Sequence, residues 1–110
     1  MASRIKSVLA AAALLALCGG AQAAVFSGLV TSGGQPAVGA LVTLYDDAKL
    51  VSQTVLTDTT GRYRLRTELT GTLRLRARAQ ASEDSSVAVK VPAGDATLQE
   101  SFSLKRLTDP

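Results

Sequence analysis

Six arginines in the stretch TDTTGRYRLRTELTGTLRLRARAQ, Thr57 to Gln80, are the residues of this 110-residue chain whose type and spacing most invite chemistry. Arg62, Arg64 and Arg66 form one row at two-residue spacing, and Arg74, Arg76 and Arg78 form a second. In an extended strand, residues two apart project from the same face about 6.8 Å apart. Each row therefore sets out planar guanidinium forks able to grip carboxylates or other anions bidentately. The first row has Glu68 beside it, whereas the second has no acid between its members, which makes Arg74, Arg76 and Arg78 the candidate partner face. The plain alternative for either row is a solvated strand face, kept soluble and guarded against edge-to-edge pairing by its charge.

Other chemistry is thin. The chain has no histidine, which removes the commonest general base and transition-metal ligand. No serine stands in a nucleophile elbow with triad partners. The adjacent acids Asp46-Asp47 and Glu83-Asp84 fall in polar turns, where carboxylates are solvated loop residues rather than an acid–base pair. A calcium site from Asp46, Asp47 and Asp58 is chemically conceivable, but aspartates at such positions ordinarily make turns. An internal isopeptide bond would draw on Lys90 or Lys105, yet the chain contains no Asn to receive it. The aromatics that could stack on a sugar are Phe26, Tyr45, Tyr63 and Phe102, of which Tyr63 is expected in the core. No catalytic residue, metal ligand or cofactor is expected.

The amino-terminal residues read as a secretory signal: Arg4 and Lys6 as its basic region, Val8 to Leu17 as its apolar stretch, and Ala21-Gln22-Ala23 as a cleavage site. The apolar stretch falls well short of the roughly 20 residues a spanning helix needs, so no membrane span is expected. A lipoprotein reading through Cys18 is weaker, because Leu17 precedes it where a small residue is usual. Cleavage after Ala23 leaves ten basic and nine acidic side chains, a net charge near +1, so nucleic acid is not an expected partner. Cys18 is the only cysteine, so the exported domain, residues 24–110, would fold without a disulfide. The expected location is periplasmic or secreted.

The elements that must carry the arginines are strands. Alternation and β-branched residues, punctuated by turn signals, predict seven: Val25 to Thr31, Ala40 to Tyr45, Leu50 to Thr57, Arg62 to Glu68, Thr72 to Ala79, Val87 to Val91 and Thr97 to Leu107. In the fifth, Leu73, Leu75, Ala77 and Ala79 face the core; in the fourth, Tyr63 and Leu65 do so. A simple hairpin between these two strands would set arginine against arginine, which is unfavourable. A one-residue slip would instead turn an apolar set to water. Gly71 is therefore expected to mark a crossing between sheets, with the two arginine rows on opposite outer faces of a sandwich.

Three segments carry a resemblance: Val25-Phe26-Ser27-Gly28-Leu29-Val30-Thr31, Gly34 to Leu44 with its G-x-P-x-x-G-A pattern, and Thr57 to Leu65 with T-D-x-x-G-R-Y. Together they resemble the carboxypeptidase regulatory-like domains of the transthyretin-like, prealbumin-type group. Gly34, Pro36, Gly39, Asp58, Gly61 and Tyr63 match the turn signature. The resemblance implies an all-β, seven-stranded Greek-key sandwich, immunoglobulin-like and transthyretin-like, serving as an accessory module. Related sandwiches that are enzymes, the hydroxyisourate hydrolases and intradiol dioxygenases, depend on histidines that this chain lacks. The functional expectation is a non-catalytic exported module that engages another exported protein, with carbohydrate or cell-envelope polymer binding as the alternative.

Overall fold

The computed structural model describes residues 23–107; the basic and apolar segments expected to form a secretory signal, Cys18 and the last three residues lie outside them. Nine strands are present among the described residues: β1 (Ala24–Ser32), β2 (Gln35–Pro36), β3 (Leu41–Asp46), β4 (Val51–Leu56), β5 (Arg62–Thr67), β6 (Gly71–Arg78), β7 (Ser85–Val91), β8 (Ala96–Gln99) and β9 (Phe102–Leu104). One sheet is built on β1, which pairs with β2, β5, β8 and β9; the other runs β4-β3-β6-β7. Phe26, Val30 and Leu65 from the first sheet meet Val42, Leu44, Leu73, Leu75 and Ala77 from the second, and burial of this apolar surface drives the two together.

Nine strands replace the seven expected, for two local reasons. Gly33 and Gly34 both take positive φ and close a two-residue turn that pairs Ser32 with Gln35 and Thr31 with Pro36, so a segment expected as turn alone contains β2. The expected last strand is interrupted at Glu100-Ser101. Its register on β1 is unchanged across the break, with Ser27 opposite Gln99 before it and Val30 opposite Phe102 after it. Between these pairs the Leu29 N–H donates to the Ser101 hydroxyl (3.1 Å), and the Glu100 carbonyl accepts from the Tyr63 hydroxyl (2.5 Å) instead of continuing the ladder. The other six strands agree with expectation within two residues at each end.

The signature segments meet at one corner. Val30 donates to the Gly61 carbonyl (2.8 Å) and accepts from the Ala37 N–H (2.9 Å). A Cβ on Gly61 would stand 2.7 Å from the Val30 oxygen, and its φ is +80°, so only glycine fits. Asp58 closes the turn before β5, accepting from the Thr60 N–H (2.8 Å), the Thr60 hydroxyl (2.7 Å) and the Arg62 N–H (3.0 Å). Those bonds, led by the Thr60 hydroxyl, hold its carboxyl below the usual range. Buried Thr57 accepts from the Ala40 N–H (2.8 Å) and donates to the Ala37 carbonyl (2.5 Å), tying the two signature loops together.

Candidate functional site

β6 alternates strictly: Leu73, Leu75 and Ala77 are buried, Arg74 and Arg76 are half-buried on the outer face, and Arg78 is exposed. Gly71, with φ +93°, opens β6 at the crossing from β5, so the two arginine rows lie on different sheets. Across the ladder Arg74 faces Tyr45 and Ala88, Arg76 faces Thr43 and Ser86, and Arg78 faces Leu41. No like charges oppose one another, which removes the penalty a β5–β6 hairpin would have carried.

Acids from two connections reach this row. Asp47, in the β3–β4 turn, accepts two hydrogen bonds from Arg74, each 3.3 Å. The same guanidinium lies 4.2 Å above the centre of the Tyr45 ring, a cation–π contact. Asp84, just before β7, pairs with Arg76 and stands 3.7 Å from Arg78 Nε. Asp84, with Tyr45 beside it, raises the Arg76 guanidinium above its ordinary value. The row is thus a linked array running Asp47, Arg74, Tyr45, Arg76, Asp84 and Arg78. Exposed pairs of this kind contribute only about 0.2–1 kcal/mol each; their effect is to hold the forks in place.

Apolar side chains flank the array. Leu41 and its cross-strand partner Leu56 are exposed at the Arg78 end, with Val38 exposed in the loop before β3. An open concavity of about 360 Å³ lies there, lined in part by Gly39, Leu41, Arg78, Ser82 and Asp84. At the other end, Leu50 projects from the β3–β4 turn, 89% exposed and with φ +57°.

The second row is placed differently. Arg62, Arg64 and Arg66 are exposed on the outer face of β5, opposite Leu29, Ser27 and Val25 of β1. The three ion pairs among the described residues all belong to the β6 row, so none involves this one.

The remaining candidates are dispersed. Asp46 is buried and accepts from the Lys49 N–H (3.2 Å), Asp47 is paired with Arg74, and Asp58 is spent on its own turn. No group of three metal-capable side chains occurs among the described residues. Lys90 and Lys105 are exposed. Phe26, Tyr63 and Phe102 are buried, leaving Tyr45 half-exposed; burial pushes the Tyr63 hydroxyl well above its ordinary value, with Glu100 adding to the effect. Sequence reasoning missed Asp47 as a partner of Arg74, although the outward period of β3, Thr43 then Tyr45, continues to it. Asp84 carried no comparable signal, because its approach to Arg76 depends on the β6–β7 register and on the path of the connection between them.

The profile of the carboxypeptidase regulatory-like domain matches residues 25–105, a span that takes in all three signature segments and the corner at Val30. The chain belongs to that family. No curated protein sequence matches this carboxypeptidase regulatory-like domain. Among solved structures, it is similar to catechol 1,2-dioxygenase from Acinetobacter sp. ADP1, with TM-score 0.65 and 12% identity over 81% of this chain and 54% of that one. It is similar to a DUF3823 family protein from Parabacteroides merdae, with TM-score 0.55 and 21% identity over 79% of this chain and 47% of that one. The Bacillus anthracis TIE protein gives TM-score 0.56 and 14% identity over 77% of this chain and 17% of that one. The regulatory-like domain spans only about half of the first two proteins and a small part of the third. At these identities the likeness is one of fold.

Proposed function

We propose that this carboxypeptidase regulatory-like domain is a non-catalytic module, exported by its amino-terminal signal, that binds another exported protein through the outer face of β3, β4 and β6. The observation carrying this reading is the array of Arg74, Tyr45 and Arg76 held between Asp47 and Asp84 beside exposed Leu41 and Leu56. Arginine and tyrosine are enriched at protein interfaces, and side chains already held in place lose less freedom on binding. Carbohydrate recognition is less well supported, because the ring of the one half-exposed tyrosine is covered by Arg74 rather than open to a sugar. The absence of histidine supports a non-catalytic role.

The test is cross-linked capture from the exported fraction with wild-type protein, the triple variant R74E/R76E/R78E and Leu41→Asp. A discrete protein held by wild type and lost from both variants is expected. Because the altered ion pairs are exposed and individually weak, the variants should stay folded, which circular dichroism checks. A captured set unchanged by either variant would refute the assignment of this face. Amino-terminal sequencing of the exported form should begin at Ala24; retention of residues 1–23 would refute the export reading.

A further inference from the structure

The β5 row is a strongly charged surface that no ion pair among the described residues neutralises. Asp58 engages Arg62 through its backbone N–H, and Glu68 lies beyond the end of the row. On the same face, β1 sets half-buried Leu29, Ser27 and Val25 beside Arg62, Arg64 and Arg66. β8 continues the face with exposed Thr97 and Gln99. The surface is therefore a cationic rail beside an apolar, hydroxyl, apolar stripe.

We propose that this face binds an extended acidic polypeptide segment laid along β5, with carboxylates at alternate positions meeting Arg62, Arg64 and Arg66 in turn. The two-residue repeat of an extended chain, about 6.8 Å, matches the spacing of the row, and each guanidinium can take a carboxylate bidentately. Leu29 and Val25 offer apolar contact that a uniformly polar anionic polymer would leave uncovered. The segment lies on the face and does not add to the sheet edge. There the Arg62 N–H and C=O are already bonded to Asp58, and the Arg66 carbonyl to the Gln53 amide (3.3 Å). This surface is on the opposite sheet from the β6 array and is independent of it.

The test is fluorescence anisotropy of the purified protein with a labelled peptide of alternating Glu and Thr. A block peptide of the same composition, an alternating Lys-Thr peptide and polygalacturonate serve as comparisons. The alternating acidic peptide should bind at low salt and weaken as salt rises, and the Lys-Thr peptide should not bind. Losing three exposed pairs in R62Q/R64Q/R66Q should weaken binding by about tenfold, while Lys90→Gln, which removes an exposed cation on the other sheet, leaves it unchanged. Should the glutamine variant fail to fold, R62K/R64K/R66K keeps the charge but loses the fork and should still bind more weakly than wild type. Equal binding of the block and alternating peptides, binding unaffected by the β5 variants, or stronger binding of polygalacturonate would each overturn the proposal.

Discussion

Substituting Gly28 by alanine tests the assembly of the first sheet. Gly28 lies in β1 where the parallel partner changes from β8 to β9. A Cβ there would stand 2.0 Å from the Glu100 carbonyl oxygen, 2.7 Å from its carbon and 3.1 Å from Tyr63 Cε1. The obstacle is backbone and cannot swing aside. Relief requires the Glu100 peptide to retreat by roughly an ångström, which breaks the hydrogen bond from the Tyr63 hydroxyl and strains the one from the Glu100 N–H to the Ser27 carbonyl (3.0 Å). Forcing an extra carbon into a packed site costs about 1–3 kcal/mol, and a lost buried hydrogen bond costs about 1 kcal/mol more. The sum, about 2–4 kcal/mol, lowers Tm by roughly 10–25 °C in a domain of this size.

Thermal melting followed by circular dichroism measures this directly, and Tyr63→Phe separates its parts. Tyr63→Phe alone should cost about 1 kcal/mol. Combined with Gly28→Ala it should cost less than the sum of the two, because the alanine has already broken the bond that phenylalanine removes. A Gly28→Ala protein melting within about 3 °C of wild type, under 1 kcal/mol, would refute the crossing of Glu100 over Gly28 and with it the shared register of β8 and β9.

Thr57→Val keeps the shape of a buried side chain but orphans the Ala40 N–H and the Ala37 carbonyl; a loss of about 2–4 kcal/mol is expected in urea titration. Asp58→Ala should lower Tm at neutral pH. Because the folded carboxyl titrates below its ordinary value, the stability it contributes is complete above that ordinary value and is lost as pH falls from there through the lower, folded-state value. The gap between Asp58→Ala and wild type should therefore narrow below about pH 4 in a Tm–pH series. Leu50, exposed with φ +57°, occupies a conformation that leucine disfavours and asparagine tolerates. Leu50→Asn should raise stability by about 0.5–1 kcal/mol, read as a higher Tm.

The arginine rows were legible because each alternates with core residues, and a sheet with one dry face reports its orientation through period two. The crossing at Gly71 followed from the energetic cost of arginine facing arginine, and the inward placement of Tyr63 followed from the same alternation. What escaped the sequence lay in side chains standing in for backbone and in the registers between strands. The Ser101 hydroxyl takes the place of a ladder acceptor for Leu29, so Thr97 to Leu107 reads as one strand although it is two. β2 is only two residues long and shows no alternation at all. The acids that meet β6 come from Asp47 and Asp84, whose presence there depends on the β3–β6 and β6–β7 registers.

Those acids make two rows of identical local pattern electrostatically unlike. On β6 the guanidiniums are already oriented, so a partner there gains from fit and from the exposed leucines, and must displace or bridge existing carboxylates. On β5 the forks have no such partners among the described residues, so attraction there is chiefly Coulombic and must weaken steeply as salt screens it. Binding that tolerates salt and fails in Leu41→Asp would belong to the β6 face. Binding that vanishes with salt and fails in R62Q/R64Q/R66Q would belong to β5. Ionic strength thus distinguishes binding at one face from binding at the other.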